Sequence, residues 1–252
     1  MLRLDHLTLR FEGMVATDDV CMEVEDHKVT ALIGPNGAGK TTLFNQITGV
    51  LVPESGHIYL DDEDITGLKP YQICLKGITR TYQVIKLFSG MTCLENVLVG
   101  MHTKLEQNFW QDMFHTKKMR QQEKQGLEKA HKLLELVGLD QFASYPAGAL
   151  SYGQQRLVEI ARALASDPKI ILLDEPAAGM NTKEKMDLND KIRKIIDMGT
   201  TVLLVEHDMS LVMNIADKIY VINSGKNLAE GTPEEVSNNP DVIEAYLGSG
   251  EY

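Results

Sequence analysis

The stretch Gly34-Pro35-Asn36-Gly37-Ala38-Gly39-Lys40-Thr41 fits the pattern G-x-x-x-x-G-K-[ST]. Its glycines let the backbone curl so that several N–H groups point at one anion, and a helix beginning at Lys40 adds the positive end of its dipole. The lysine supplies a charge for the β- and γ-phosphates, Thr41 offers a hydroxyl to Mg²⁺, and Thr42 extends the binding segment. An apolar, β-branched run, Val29–Ile33, precedes the loop. The pattern predicts a P-loop core of the α/β class and leaves the particular P-loop family open.

A second apolar run, residues 170–173, ends in two carboxylates, Asp174 and Glu175, followed by Pro176. Asp174 suits Mg²⁺, reached through water because that ion keeps several of its waters. Glu175 lies one residue further on and can point at an attacking water, so it is the candidate general base. Two acids at a strand end are often only a surface turn. The phosphate-binding pattern earlier in the chain favours the functional interpretation.

Composition narrows the classes of partner. The 252 residues are 43% hydrophobic and 24% charged, and the formal net charge is −11. Such a chain is repelled by DNA and RNA, and its most basic stretch, residues 115–124, is mixed with Gln and Glu, so no nucleic-acid partner is expected. Cys21, Cys74 and Cys93 lack metal-ligand spacing and are expected to be reduced, buried thiols. No signal-peptide region and no apolar run near the ~20 residues of a membrane span is found, so another chain would have to cross any membrane.

The layout follows from short apolar runs and helix caps. The region from Gln72 to Leu139 is expected to be mainly helical, and residues 84–146 are interpreted as a helical insertion in a single domain spanning residues 1–252. Capping boxes predict helices that start near Asn181 and Thr232. Strands are expected at residues 2–10, 21–24, 29–33, 56–60, 170–173, 201–205 and 219–222.

Residues 150–156, Leu-Ser-Tyr-Gly-Gln-Gln-Arg, closely resemble the LSGGQ signature of the ABC ATPases. Ser151 and Gln154 also form a capping box for a helix expected over residues 154–165. Capping is compatible with function because a capped helix N-terminus is also an anion site. The segment follows the helical insertion and precedes the acidic strand, as in that family. Tyr152 departs from the commoner glycine.

The resemblance implies the ABC ATPase fold, a P-loop NTPase core with a helical insertion subdomain and an antiparallel β subdomain. It implies that Gln83 senses Mg²⁺ and the attacking water, and that His207 contacts the γ-phosphate. Phe11 would stack on adenine, although an aromatic at a strand end is also a common core residue. Asn181, at the D-loop position, either couples the two sites or only caps a helix.

The resemblance further implies ATP and Mg²⁺ as cofactors and a head-to-tail pair of cassettes with two ATP between them. Ser151, Gly153 and Gln154 of each cassette would face the phosphate loop of the other. The expected partners are a second ATPase subunit, identical or a sister chain, transmembrane permease subunits and, indirectly, an extracytoplasmic solute-binding protein. The place of work would be the cytoplasmic face of a membrane, with peripheral attachment.

One branch of the family fits best. Residues 77–88 and 91–97, the insertion at residues 108–124 and the ending at residues 231–248 resemble the larger of the two sister ATPases of branched-chain amino acid importers. Urea-importer and lipopolysaccharide-exporter ATPases share much of this pattern and remain alternatives. ABC ATPases of DNA repair or translation usually carry tandem domains or a long coiled coil, whereas this chain has one of each motif. A scaffold without turnover is disfavoured because Glu175 and His207 are both present. The apolar residues within 84–88 either pack the insertion or receive a short helix from a membrane subunit.

Overall fold

The computed structural model describes residues 1–101 and 117–247. The expectations at residues 108–124 and 115–124 therefore fall partly outside the described residues. The strands, in chain order, are β1 (Leu2–Phe11), β2 (Met14–Val24), β3 (Val29–Ile33), β4 (Ser55–Leu60), β5 (Glu63–Asp64), β6 (Ile78–Arg80), β7 (Ile170–Asp174), β8 (Thr201–Val205), β9 (Lys218–Asn223) and β10 (Lys226–Gly231).

The first helix begins directly after the phosphate-binding loop, and the last ends at Leu247. They are α1 (Lys40–Ile47), α2 (Pro70–Lys76), α3 (Cys93–Val99), α4 (Lys117–Leu136), α5 (Tyr152–Leu164), α6 (Thr182–Asp197), α7 (Met209–Ile215), α8 (Pro233–Ser237) and α9 (Pro240–Leu247). Short 3₁₀ turns occupy Asp140–Phe142 and Ala147–Ala149.

A six-stranded sheet forms the centre of the fold, in the order β10-β9-β3-β8-β7-β6. All neighbours are parallel except β10, which returns antiparallel to β9. Every residue of β3, β7 and β8 is buried, as expected for parallel strands covered on both faces. Alternate residues along these strands feed two separate hydrophobic layers, so the sheet divides the core in two.

One of these layers is closed by α1 and by a four-stranded antiparallel sheet in the order β2-β1-β4-β5. Leu2, Leu4 and Leu7 of β1 point into the same cluster as Leu43 and Phe44 of α1. The antiparallel β subdomain expected from the family resemblance is therefore present. Its β1 strand ends at Phe11, which places that residue beside the phosphate-binding loop.

The other layer is covered by helices, and here the sequence-based expectations need correction. Residues 72–139 are not helical throughout, because they contain β6 and a non-helical stretch that runs to the start of α3 at Cys93. A three-residue strand is too short to show a period, so its place at the sheet edge could not be read from the sequence. The signature helix α5 begins at Tyr152, two residues before the expected start, because its capping residue is Ser151.

The cysteines are free, as expected, but only Cys93 is buried; Cys21 and Cys74 are half-buried. Across residues 1–101 and 117–247, no helix has the length and hydrophobicity of a membrane span.

Candidate active site

The phosphate-binding loop is the turn between β3 and α1. Gly34 has φ +152°, and a Cβ there would collide with the carbonyl oxygen of Ile222. Gly39 has φ +106°, and a Cβ there would collide with the carbonyl oxygen of Ala16. Only glycine fits at both positions, because the loop is pressed against the backbone of two other elements. Gly39 is also the N-cap of α1, which has neither a side-chain cap nor an acidic residue in its first turn. The positive end of α1 is thus presented to an anion.

Lys40 points into the loop that precedes it. Its ammonium is buried and donates to the carbonyl oxygens of Gly34, at 2.5 Å, and Pro35, at 2.9 Å. The lysine therefore lies where the curled backbone would hold phosphate oxygens, as the motif predicts. Thr41 and Thr42 follow on α1 and line the same cleft.

The cleft has a volume of about 490 Å³. Most of the residues expected to bind nucleotide line it, and they come from β1, the phosphate-binding loop, the segment after β6, the end of β7 and the end of β8. Phe11 stands at its edge with 41% of its surface exposed, so it is not a core residue. The lining residues include Phe11, Asn36 to Thr42, Gln83, Glu175 and His207.

Asp174 ends β7 and is 5% exposed. Its Oδ2 accepts a hydrogen bond from Nη2 of Arg80 at 2.7 Å, and its backbone N–H donates to the hydroxyl of Thr81 at 3.3 Å. Arg80 is the last residue of β6, the strand that pairs with β7. Asp174 is thus held in place and neutralised by a cation that sequence reasoning did not identify.

Glu175 follows in a left-handed backbone conformation, with φ +47°. This conformation is uncommon for a residue with a side chain and is typical of functional sites. The carboxylate lies between two other predicted site residues: Nε2 of Gln83 donates to Oε2 at 3.0 Å, and Nε2 of His207 lies 3.0 Å from Oε1. Gln83, Glu175 and His207 are distant in sequence, and the fold brings them together at the mouth of the cleft.

The turn that carries His207 is held in place by the side chain of the preceding residue, Glu206. This buried carboxylate accepts hydrogen bonds from the backbone N–H groups of Ala177, at 2.7 Å, and His207, at 3.1 Å. Burial raises the pKa of Glu206, and these backbone donors partly offset the effect. Glu206 therefore ties the segment after Glu175 to the segment that holds His207.

Asp208, the next residue, caps α7 through the N–H of Leu211 and pairs with Lys185 of α6. Its hydrogen bond to the lysine is the main cause that lowers its pKa to about 2. Asn181 caps α6 in the predicted capping box with Glu184. The capping role of Asn181 is therefore seen directly in the structure.

The signature segment lies apart from this cleft. Ser151 accepts from the N–H of Gln154 at 3.4 Å, Gln154 accepts from the N–H of Ser151 at 3.1 Å, and the capping box is present as predicted. In the described part of the chain, Ser151, Gly153 and Gln154 are not among the residues that line the cleft. Tyr152 is half exposed, its hydroxyl lies 3.4 Å from the carbonyl oxygen of Gln83, and its ring lies over Gly179.

Arg156, at the end of the signature segment, has a role that the motif alone does not predict. Its side chain is fully buried and pairs with Glu159 at 2.7 Å. It also donates to two carbonyl oxygens in the segment after β6, those of Tyr82 and, at 2.6 Å, Gln83. The signature helix and the segment that carries Gln83 are thus joined by one guanidinium group. No local pattern indicates this link, because its ends are more than seventy residues apart.

Comparison with known proteins agrees with this geometry. The sequence matches the ABC transporter family profile over residues 17–178, and a profile described as branched-chain amino acid ATP-binding cassette transporter over residues 226–252. It is 50% identical over 249 residues to the high-affinity branched-chain amino acid transport ATP-binding protein BraF of Pseudomonas aeruginosa, which covers 98% of each chain.

Solved structures give the same result. The ADP conformation of MJ1267, an ATP-binding cassette of an ABC transporter, matches with a TM-score of 0.85 and 36% identity over 98% of each chain. A dimeric, post-hydrolysis state of the cassette MJ0796 bound to ADP and Pi matches with a TM-score of 0.77 and 26% identity, over 92% of this chain and 99% of that one. The resemblance drawn from the signature is confirmed, and the chain belongs to the ABC transporter family, as one of its ATP-hydrolysing cassettes.

Proposed function

We propose that this chain is the ATP-hydrolysing subunit of an importer for branched-chain amino acids. The observation that carries the catalytic part is the placement of Glu175 between Gln83 and His207 at the mouth of a cleft that begins at the phosphate-binding loop. The cargo is supported by the second family profile at the C-terminal end and by the name of the Pseudomonas relative. The C-terminal profile and this relative favour branched-chain amino acids over the urea-importer and lipopolysaccharide-exporter alternatives.

The roles proposed for the binding residues follow from their positions. The loop N–H groups from Gly34 to Gly39 and the ammonium of Lys40 bind the phosphates, with Pro35, Asn36 and Ala38 shaping the loop. Phe11 offers its exposed ring to the adenine, where stacking contributes about 0.5–1.5 kcal/mol beyond area burial. Together these residues place the terminal phosphate at the end of the cleft where Glu175 lies.

The oxygen donors near that point fit Mg²⁺, which prefers hard ligands and retains waters. They are the Thr41 hydroxyl, the Gln83 amide oxygen and the Asp174 carboxylate. The ion, when bound, neutralises charge that develops on the transferring phosphoryl group. Asp174 needs only its Oδ1 for this purpose, because Oδ2 is already engaged by Arg80.

Glu175 is proposed as the base that orients and polarises the attacking water, and His207 as the contact to the γ-phosphate. In the present geometry both carboxylate oxygens of Glu175 already lie within hydrogen-bonding distance of these neighbours, at 3.0 Å each. Each oxygen has a second lone pair, so the carboxylate can still accept a hydrogen bond from the attacking water while Gln83 and His207 fix its direction.

A second cassette is proposed to complete the site. Ser151, Gly153 and Gln154 form a capped helix end that does not line this chain's own cleft. Such an end is suited to bind the γ-phosphate held by a partner, whether identical or a sister chain. The dimeric cassette structure that resembles this chain supports a paired arrangement. Gly179, packed beside Tyr152 of the signature, and Asn181, two residues further on, would then lie close to the contact between the two cassettes.

Attachment to permease subunits is proposed at the interlobe groove, defined by Ile73, Cys74, Arg80, Tyr82, Phe88 and Arg162 and holding about 420 Å³. Within the stretch 84–88, Leu87 packs against the core, whereas Phe88 is 49% exposed and lines the groove. An apolar groove of this kind can receive a short amphipathic helix. The helical insertion, residues 84–146, would then form one wall of a docking site, with the cassette peripheral on the cytoplasmic face and a solute-binding protein acting from the other side.

The decisive experiment is ATP hydrolysis by the cassettes reconstituted with their permeases and solute-binding protein in vesicles. Leucine or valine is expected to stimulate phosphate release, and urea is not. Glu175→Gln should retain ATP binding and lose turnover by about 10²–10⁴-fold, because the amide keeps the shape and loses the basicity. Stimulation by urea alone would contradict the proposed cargo, and near-normal turnover by Glu175→Gln would contradict the proposed base.

A further inference from the structure

Arg80 is the one residue described above that contacts both the candidate metal carboxylate and the interlobe groove. Its Nη2 donates to Asp174 at 2.7 Å, and its Nη1 donates to the amide oxygen of Asn45 on α1 at 2.7 Å. Both members of the ion pair are nearly inaccessible, with side chains 4% and 6% exposed. The same arginine forms part of the floor of the groove.

The surroundings of Arg80 are built for a cation. Its guanidinium lies 5.3 Å from the ring centroid of Phe44 and 5.1 Å from that of Tyr82, distances at which an aromatic face attracts a positive charge. Its Nε is buried and has no hydrogen-bond partner. A buried ion pair is weak support for stability, since apolar residues of similar volume often serve as well. The pair therefore calls for another explanation.

The position of Asp174 supplies one. Asp174 is buried at the end of β7, one residue before the cleft residue Glu175, so in a nucleotide-free cassette its carboxylate needs a counter-ion. Arg80 provides it. A divalent cation held by the other oxygen of Asp174 would meet the positive charge of Arg80, which opposes its binding. Screening reduces this repulsion well below the value for two isolated charges.

We propose that Arg80 is a positioning residue that acts as the resident counter-ion of Asp174 and thereby weakens Mg²⁺ binding in the cassette. The inference rests on the proposed role of Asp174 in the Mg²⁺ site. Because Arg80 also forms the groove floor, a helix seated in that groove would bear on the residue that sets the affinity for Mg²⁺.

The test is a Mg²⁺ titration of the purified chain at saturating ADP, followed by calorimetry or by the fluorescence of a labelled ADP. Arg80→Met removes the charge and keeps apolar contact with Phe44 and Tyr82. The Mg²⁺ concentration at half-saturation is expected to fall by about fivefold or more, because the opposing charge is gone. Arg80→Lys keeps the charge and should stay within about twofold of the wild-type value.

Arg162→Met is the matched control. Arg162 lines the same groove but donates to Lys86 and approaches Glu159, not Asp174. Its removal should leave the Mg²⁺ midpoint unchanged, although it lowers the melting temperature. A purely structural role for Arg80 would likewise lower the melting temperature and leave the midpoint where it is.

An unchanged or higher midpoint in folded Arg80→Met overturns the proposal. If Arg80→Met does not fold, Arg80→Gln takes its place with the same expected fall. If neither folds, Arg80 is a structural residue and the proposal fails. A wild-type chain whose ADP binding ignores Mg²⁺ would instead contradict the proposed metal site itself, so the two failures are distinguishable.

Discussion

Replacing Arg156 by methionine should destabilise the protein strongly, although the new side chain is of similar length and apolar. The change leaves Glu159, whose side chain is 2% exposed, without its partner at 2.7 Å. It also removes the donor to the carbonyl oxygens of Tyr82 and Gln83. Removing one partner of a buried ion pair costs about 3–5 kcal/mol.

The lower end of that range applies here, because two weaker contacts to Glu159 remain. Arg162 lies 3.8 Å from Oε1, and the N–H of Lys86 donates to the same oxygen at 3.4 Å. A loss of about 3 kcal/mol in a chain of this size lowers the melting temperature by roughly 6–12 °C. Equilibrium unfolding in urea, followed by circular dichroism, measures the free-energy difference directly.

The same variant has a pH signature. Burial already raises the pKa of Glu159 above 4.5, and Arg156 is the main influence that opposes this rise. Without Arg156 the pKa rises further, so the ionised form is destabilising above that raised pKa. The part of the loss that comes from the unpaired carboxylate disappears as the pH falls toward the unfolded-state value, because the folded protein then binds the proton. The stability gap between wild type and variant should therefore narrow as the pH falls toward 4.5.

The double variant Arg156→Met/Glu159→Leu is the control. It removes the uncompensated charge, and it should regain most of the lost stability and lose the pH dependence. A loss below about 1 kcal/mol for the single variant, or a gap that widens as pH falls, would refute the reasoning.

Three further results are expected. Lys40→Ala should abolish detectable ATP binding and hydrolysis together, whereas Phe11→Ala should weaken ATP binding by only about 1–2 kcal/mol. Titration calorimetry compares the two variants, and an unchanged affinity for Phe11→Ala would contradict its stacking role. Ser151→Arg should leave ATP binding by the monomer intact and abolish hydrolysis by the pair, since the long side chain would fill the partner's phosphate site; normal phosphate release would contradict the paired arrangement. Asp208→Asn should lower the free energy of unfolding by about 1 kcal/mol at pH 7, and this difference should be lost as the pH falls from 3.8 toward the folded-state pKa of about 2. Urea unfolding at several pH values measures it. A difference that does not change with pH would exclude the pairing with Lys185 as its cause.

The parts of the site that were predicted from the sequence are those whose geometry is local. The phosphate-binding loop could be recognised because Gly34 and Gly39 adopt backbone conformations that few other residues allow. The capping boxes at Ser151 and Asn181 were equally legible, since a cap and its partner lie three residues apart.

The parts that were missed depend on register between distant segments. Arg80 meets Asp174 only because β6 pairs with β7, and nothing in Ile78–Arg80 announces a strand. Arg156 reaches the carbonyl oxygen of Gln83 because the fold places α5 against the segment after β6. Both arginines lie in recognisable motifs, but a charged residue is expected to be exposed unless a buried partner is known.

The two hydrogen bonds to Glu175 make the direction of its carboxylate depend on two separate segments of the chain. Gln83 comes from the segment after β6 and His207 from the turn after β8, so the two partners of Glu175 belong to different parts of the fold. If one of these hydrogen bonds breaks, the other still holds the carboxylate. The direction of the carboxylate can therefore change freely only when both segments move. The orientation of this carboxylate thus depends on two segments that are 124 residues apart in sequence, from Gln83 to His207.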